Sequence, residues 1–279
     1  MKISLTQLLV HLDGSPKSER RLNVARDIAQ THGAAVTALY AVTPALLVVP
    51  FAPEAGPGVA EALGRLDEQR RAQARGVFDR SVAATGVRAA WAEVQDYPIV
   101  AAFARQALYS DLLVLGQHDP GDAEGAGVPF DFAETVTAAS GKPALILPYA
   151  GTPPAVGQTI VIAWKPTREA ARAVSAAVPL LQRARRVHVL SWGKEEEEVA
   201  GARLDLDGYL RLRGVEPTWH RESQEPAFMG DLLLSRAFDL DADLLVMGCY
   251  GHSRAREWVL GGTSRTILQS MTLPVLMAH

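Results

Sequence analysis

The sequence predicts an α/β fold built twice, as two tandem doubly wound domains with parallel sheets, and three observations carry that prediction. Short apolar runs of strand length alternate with segments whose apolar residues recur at helical spacing, as βαβ units require. The order of those segments repeats: DLLVLG at 111–116 and DLLVMG at 243–248 take the same place in each half, and PALILP and PVLMAH close the halves. The chain is 279 residues long, enough for two ordinary domains, and the Pro- and Gly-rich stretch 149–158, YAGTPPAVGQ, falls where the repeat restarts. The domains are expected at residues 1–150 and 151–279.

Each half opens with a strand, LLVHL at 8–12 or IVIAW at 160–164, followed by a turn, DGSP or KPTR. Ser15 is expected to cap the next helix with Pro16 at its first position. Leu22, Ala25, Ile28 and Ala29 form one apolar face, and Gly33 ends the helix. In the second half Thr167 takes the capping place, and Ala170, Ala171, Val174, Ala177, Val178 and Leu181 supply the face. Second strands follow, AAVTALYAV ending near Val42 and RVHVLSW ending near Trp192. Third strands, in GVRAAWAEV and GVEPTWHRE, each carry a central tryptophan, and the helical segments PIVAAFARQALYS and GDLLLSRAFDLDA lead into the DLLV runs. Residues 43–60 interrupt the first half. Their prolines and glycines predict no regular structure, although LLVVPF is apolar enough to need cover, as a lid or a packing arm. The acidic run 195–198 reads as a solvated helix start.

A net charge of −3 and a pI near 6.2 provide no broad basic surface, which argues against nucleic acid or an anionic membrane as partner. Cys249 is the single cysteine, so no intramolecular disulfide can form, and the start MKISLTQLLVHLDGS shows no signal-peptide cleavage site. No apolar run approaches the roughly 20 residues of a membrane span. A soluble, cytoplasmic protein is expected.

The chemistry concentrates after DLLVMG, where the chain reads GCYGHSRAREWVLGGTSRTIL. Glycines at Gly248, Gly251 and Gly261 give a G-x2-G-x9-G spacing that leads into a helix. Glycine at a strand end lets a ligand approach the backbone closely, and the free N–H groups of a helix start, here residues 262–265, favour a phosphate. Turns also collect glycine, so a structural role stands beside the functional one. The segment lies at the carboxyl edge of a parallel sheet, where such folds bind ligands. A G-x-G-x-x-G fingerprint after the first strand and a Walker A lysine motif are both absent. Cys249, His252 and His279 lack the paired spacing of a metal centre, so no metal is expected. Without G-x-S-x-G or HExxH, no catalytic residue is assigned.

On the DGS turn after the first strand, the DLLVMG strand, the G-x2-G-x9-G segment and the terminal PVLM strand, the chain resembles the universal stress protein family, over nearly its whole length and twice. The resemblance implies an adenine nucleotide alpha hydrolase-like fold, a role in stress response or signalling, and binding of ATP or AMP with at most slow hydrolysis. Members that bind nucleotide contact the adenosine with the first-strand aspartate. They read the adenine with a backbone group at the end of the second strand and hold the phosphates with the glycine segment. Carried over residue by residue, Asp13 matches the aspartate, but the first half continues GQHDPGDAEGAGVPFDF with only Gly116 in register. Asp119, Asp122, Glu124 and Asp131 there repel phosphate, so no phosphate site is expected in that half.

The second half keeps Gly248, Gly251 and Gly261, but Lys165 stands in the aspartate's place and Gly262 in that of the usual Ser or Thr, with Thr263 and Ser264 next. Lys165 either draws a phosphate or reaches to solvent. Trp164 and Trp192 either frame the adenine or belong to the core. Arg254, Arg256 and Arg265 surround the same loop. The candidate nucleotide-binding residues are therefore Gly248, Gly251, Gly261, Gly262, Thr263, Ser264, Lys165 and Trp192. The alternative is a scaffold that keeps the fold for contacts with unknown protein partners and binds no nucleotide. The resemblance also implies pairing through the last strand, so that PALILP and PVLMAH join the halves as an internal pseudo-dimer within a monomer, with a homodimer left open.

Overall fold

The computed structural model describes residues 3–49, 56–83, 86–122, 127–151, 155–193, 204–222, 228–249 and 262–279, so the acidic run 195–198 lies outside the described residues. The chain divides into two compact units, Ser4–Tyr149 and Ala150–His279. The first unit runs β1 (Gln7–Leu12), α1 (Lys17–His32), β2 (Ala35–Tyr40), α2 (Ala45–Val48), α3 (Pro57–Ala83), β3 (Ala89–Glu93), α4 (Ile99–Ala107), β4 (Leu112–Gly116), α5 (Phe132–Ser140) and β5 (Ala144–Leu147). The second runs β6 (Thr159–Trp164), α6 (Arg168–Leu181), β7 (Arg186–Trp192), α7 (Leu206–Arg211), β8 (Thr218–Glu222), α8 (Met229–Asp239), β9 (Leu244–Gly248), α9 (Gly262–Ser270) and β10 (Val275–Ala278).

Every strand pair within a unit is parallel. The order is β3-β2-β1-β4-β5 in the first unit and β8-β7-β6-β9-β10 in the second. Parallel strands covered on both faces must be apolar throughout, and the central strands obey: Leu8, Val10 and Leu12 of β1 and Ile160, Val161 and Ile162 of β6 are all buried. Each such side chain contributes about 1.5–3 kcal/mol relative to an exposed one. The chain passes outward from β1 through β2 to β3 and then returns to the other side of β1 at β4, which opens a crevice at the carboxyl ends of β1 and β4. The same reversal opens one between β6 and β9.

The repeated DLLV run explains itself at the opposite edge of the sheet. The Asp111 carboxylate accepts the N–H groups of Thr6 (2.7 Å) and Gln7 (3.0 Å), tying the start of β4 to the start of β1. The Asp243 carboxylate accepts those of Gly157 (2.9 Å), Gln158 (2.9 Å) and Thr159 (3.1 Å) in the same way. Both aspartates are structural.

Thr167 caps α6 by accepting the Ala170 N–H (3.3 Å), and Gly33 ends α1 in the left-handed region at φ 70°, as expected. Ser15 does not cap α1. Its hydroxyl donates to Asp13 Oδ1 (2.6 Å), and Pro16 stands at the cap with no side-chain bond. The stretch 43–60 also departs from expectation. It holds the short helix α2, whose Ala45 N–H donates to the Asp67 carboxylate (2.9 Å), and Pro57 opens the 27-residue α3. Proline at a first helical position loses only an N–H that has no partner there. Among the described residues no helix is long and apolar enough to cross a membrane.

Candidate functional site

The two crevices at the carboxyl ends of the strands are built from the same positions and furnished differently. In the first half Asp13 follows β1 directly and is 6% exposed. Its Oδ1 accepts the Ser15 N–H (2.9 Å), the Ser15 hydroxyl (2.6 Å) and the Ser18 hydroxyl (2.9 Å), and its Oδ2 meets Arg21 Nη2 at 2.8 Å. Burial opposes the charge on Asp13, but the Arg21 guanidinium and the Ser15 bonds outweigh it and hold the carboxyl well below the usual carboxylate range. Arg21 in turn donates Nε–H to the His11 carbonyl (2.8 Å) and lies against Gly116, where a Cβ would stand 2.6 Å from Nη1.

Two further residues close this crevice. The stem of Arg70, from α3, lies over the β1–α1 turn, so that a Cβ on Gly14 would stand 2.9 Å from it. Lys17 bridges Asp119 and Asp122, with 3.0 Å to Asp122, and so pins the loop after β4 to the start of α1. Lys17 thus offsets part of the negative charge of that loop, and Asp13 already takes four contacts from within the chain.

The second half places Lys165, exposed, immediately after β6, where Asp13 stands in the first, and Ala173 takes the position of Arg21. Gly248 ends β9 beside it. A Cβ there would lie 2.5 Å from the Ala170 amide nitrogen and 2.6 Å from the Glu169 carbonyl carbon, so this glycine admits the first turn of α6 to the strand end. Glu169 is buried and receives the Arg168 guanidinium at 2.5 Å. Burial pushes its carboxyl up, and the Arg168 hydrogen bond reverses the balance and holds it down. Cys249 is buried and its thiol is pushed up to about 12, first by burial and then by the nearby Glu169 charge. The Cys249 carbonyl lies 3.3 Å from His279 Nδ1, and among the described residues no cluster suits a metal ion.

Trp192, at the end of β7, is half-buried and donates its indole N–H to Glu222 (3.0 Å), whose other oxygen takes Arg236 (2.6 Å). The ring is thus held from β8 and α8. The helix α9 starts at Gly262, which is exposed; Thr263 is half-buried, and Ser264 is buried on the inward face. Gly251, Gly261, His252, Arg254 and Arg256 lie outside the described residues, so of the candidate set the structure locates Gly248, Gly262, Thr263, Ser264, Lys165 and Trp192.

Sequence reasoning missed Arg21, Glu169 and Glu222. Arg21 left a signal: Ser18 and Arg21 sit one turn ahead of Leu22 and Ala25 on the buried face of α1, and a charge at a buried helical position implies a buried partner. Glu222 left none, because a strand-end glutamate looks the same whether it faces water or an indole.

A family model described as the universal stress protein family matches residues 157–279. A universal stress protein from Archaeoglobus fulgidus DSM 4304 superimposes with a TM-score of 0.69 at 17% identity, covering 98% of this chain and 95% of its own. A functionally unknown protein from Pseudomonas aeruginosa PAO1 gives 0.62 at 16% identity, covering 98% and 92%. A universal stress protein solved in complex with cAMP covers 53% of this chain and 100% of its own at 24% identity, with a TM-score of 0.36. No curated protein matches the chain. Residues 157–279 thus match the universal stress protein family model, and the chain as a whole carries the fold of that family's solved structures, once in each half.

Proposed function

We propose that the second half binds an adenine nucleotide, ATP or AMP, at the carboxyl ends of β6 and β9, with little or no turnover, and that the protein acts in stress response or signalling through that binding. The observation that carries the proposal is the exchange of Asp13 and Arg21 for Lys165 and Ala173 at equal register. The second crevice lacks the buried ion pair that fills the first, and it carries an exposed cation on its rim. The family match supports it, since it covers this half.

In this scheme the first-turn N–H groups of α9 and the Lys165 ammonium hold phosphate, with Thr263 as the accessible hydroxyl. Gly251 and Gly261 allow the backbone to approach, and Trp192, fixed by Glu222, borders the adenine. With lysine in place of aspartate, the ribose loses a carboxylate partner and the phosphates gain a cation, so affinity should depend on phosphate number and on salt. Among the described residues Glu169 is buried and engaged by Arg168, and His279 faces the Cys249 carbonyl, so neither is offered as a general base, which is in keeping with slow or absent hydrolysis.

Mass spectrometry of ligands released from freshly purified protein, paired with ATP calorimetry on wild type and Gly261→Asp, tests the proposal. Bound nucleotide in the wild type and its loss in the variant support it, because the new carboxylate enters the anion site. No nucleotide in either preparation and no heat on titration would leave the scaffold as the better account.

A further inference from the structure

The helix α8 meets α9 at the first turn of each, and the contact is closer than a side chain on α8 would permit. Gly230, buried in the first turn of α8, faces Thr263 and Thr266. A Cβ on it would stand 2.6 Å from Thr266 Cβ, 2.8 Å from Thr266 Cγ2 and 3.3 Å from the Thr263 carbonyl oxygen. The two nearest atoms lie at the root of a β-branched side chain, which cannot swing aside as the tip of a long one would. Alanine is the better helix former, so a glycine inside a helix costs stability unless its missing side chain makes room. Here it makes room for α9. The buried residues of α8 are Gly230, Leu233 and Ala237, so the close approach lies on the packed face of the helix.

Thr266 carries the contact back to the start of α9. Its hydroxyl donates to the Gly262 carbonyl (2.9 Å), so the side chain that Gly230 touches is also bonded to the first residue of the helix. Gly230 thus bears on two carbonyls, that of Thr263 directly and that of Gly262 through Thr266. A peptide group is planar, so the Gly262 carbonyl fixes the direction of the Thr263 N–H, and the Thr263 carbonyl fixes that of the Ser264 N–H. Both N–H groups belong to the first turn, where the helix supplies them no acceptor. Two turns along α8, Arg236 holds Glu222 (2.6 Å), which in turn holds the Trp192 indole (3.0 Å). The long arginine side chain can follow a small shift of the helix, whereas the contact at Gly230 cannot.

We propose that Gly230 is a positioning residue for the phosphate end of the nucleotide site: by letting α9 close on α8 it aims the Thr263 and Ser264 N–H groups. The inference rests on the nucleotide reading of the second half. Calorimetry of the intact chain with ATP and with adenosine tests it, on wild type, Gly230→Ala, and Gly230→Ala combined with Thr266→Gly. Gly230→Ala should weaken ATP about tenfold, the scale of one charged hydrogen bond, and leave adenosine unchanged, whereas a role in stability alone would move both or neither. The double variant returns the space and should recover most of the ATP affinity. Thr266→Val keeps the shape that Gly230 meets and loses only the bond to Gly262, so it serves if Gly230→Ala does not fold; ATP should then weaken about threefold with adenosine unchanged. Unchanged ATP affinity in the folded single variant, equal losses for ATP and adenosine, or a double variant no better than Gly230→Ala would each overturn the inference and leave nucleotide binding standing. A wild type that binds no ATP would overturn both.

Discussion

The two crevices stand at the same register of the same fold, and the described residues around them show how one copy carries a buried ion pair where the other carries an exposed lysine. His11, Asp13, Arg21 and Gly116 in the first half become Ala163, Lys165, Ala173 and Gly248 in the second. In the first, Asp13 is paired with Arg21, and Asp119 and Asp122 share Lys17. In the second, the buried pair is gone and the cation moves to the rim. The glycine is kept in both halves for different reasons, since Gly116 accommodates a guanidinium and Gly248 accommodates the backbone of α6. A retained glycine is thus weak evidence for a retained ligand site.

The largest effect expected from breaking this contrast is at Arg21. Arg21→Met leaves the Asp13 carboxylate buried without its partner, which costs about 3–5 kcal/mol. Urea unfolding should show that loss in the first unit, and Asp13→Asn combined with Arg21→Met should recover part of it. A loss below about 1 kcal/mol would mean that the pair does not hold the crevice shut.

His11 provides the next effect, through pH. Burial, followed by the Arg21 charge, lowers its folded pKa to about 4 from the ordinary 6.5. The unfolded chain therefore binds a proton that the folded chain refuses, and the first unit loses stability as pH falls from about 6.5 toward 4, by about 3 kcal/mol in all. Asp13 adds nothing to that slope, because a depressed carboxyl loses its contribution only as pH falls below the ordinary carboxylate range. Thermal melts of wild type and His11→Gln across this window should diverge as the pH falls, with the variant flatter; parallel curves would remove His11 from the account.

Smaller effects belong to the second half. Gly248→Ala forces α6 away from the end of β9 and should cost about 1–3 kcal/mol, measured by denaturation. Lys165→Met, at an exposed position, should change stability by less than about 0.5 kcal/mol while weakening ATP binding. A stability loss as large as that of Arg21→Met would show Lys165 to be a structural counterpart of the ion pair.

Much of the fold was legible in the sequence, because strands buried on both faces must be continuous apolar runs and the same runs occur twice. Thr167 and Gly33 were legible for the same reason, as one residue type with one local job. The site was harder. Ser15 carries the signature of a helix cap, yet it serves Asp13, and nothing near it in sequence announces that the acceptor is buried and charged. The 57–83 helix was hidden by the prolines and glycines ahead of it, one of which is its first residue. The sequence marks the DLLV runs as strands without a role for their aspartates, and only the hydrogen bonds to strand starts some 85 to 105 residues earlier assign Asp111 and Asp243 to the amino edge of the sheet.

The central claim is that nucleotide belongs to the second half alone, and calorimetric titration of the intact chain with ATP tests it most directly when run on wild type, Asp13→Asn and Gly261→Asp. The account predicts one site per chain, unchanged affinity in Asp13→Asn and no binding in Gly261→Asp. Affinity lost with Asp13→Asn but kept with Gly261→Asp would contradict it.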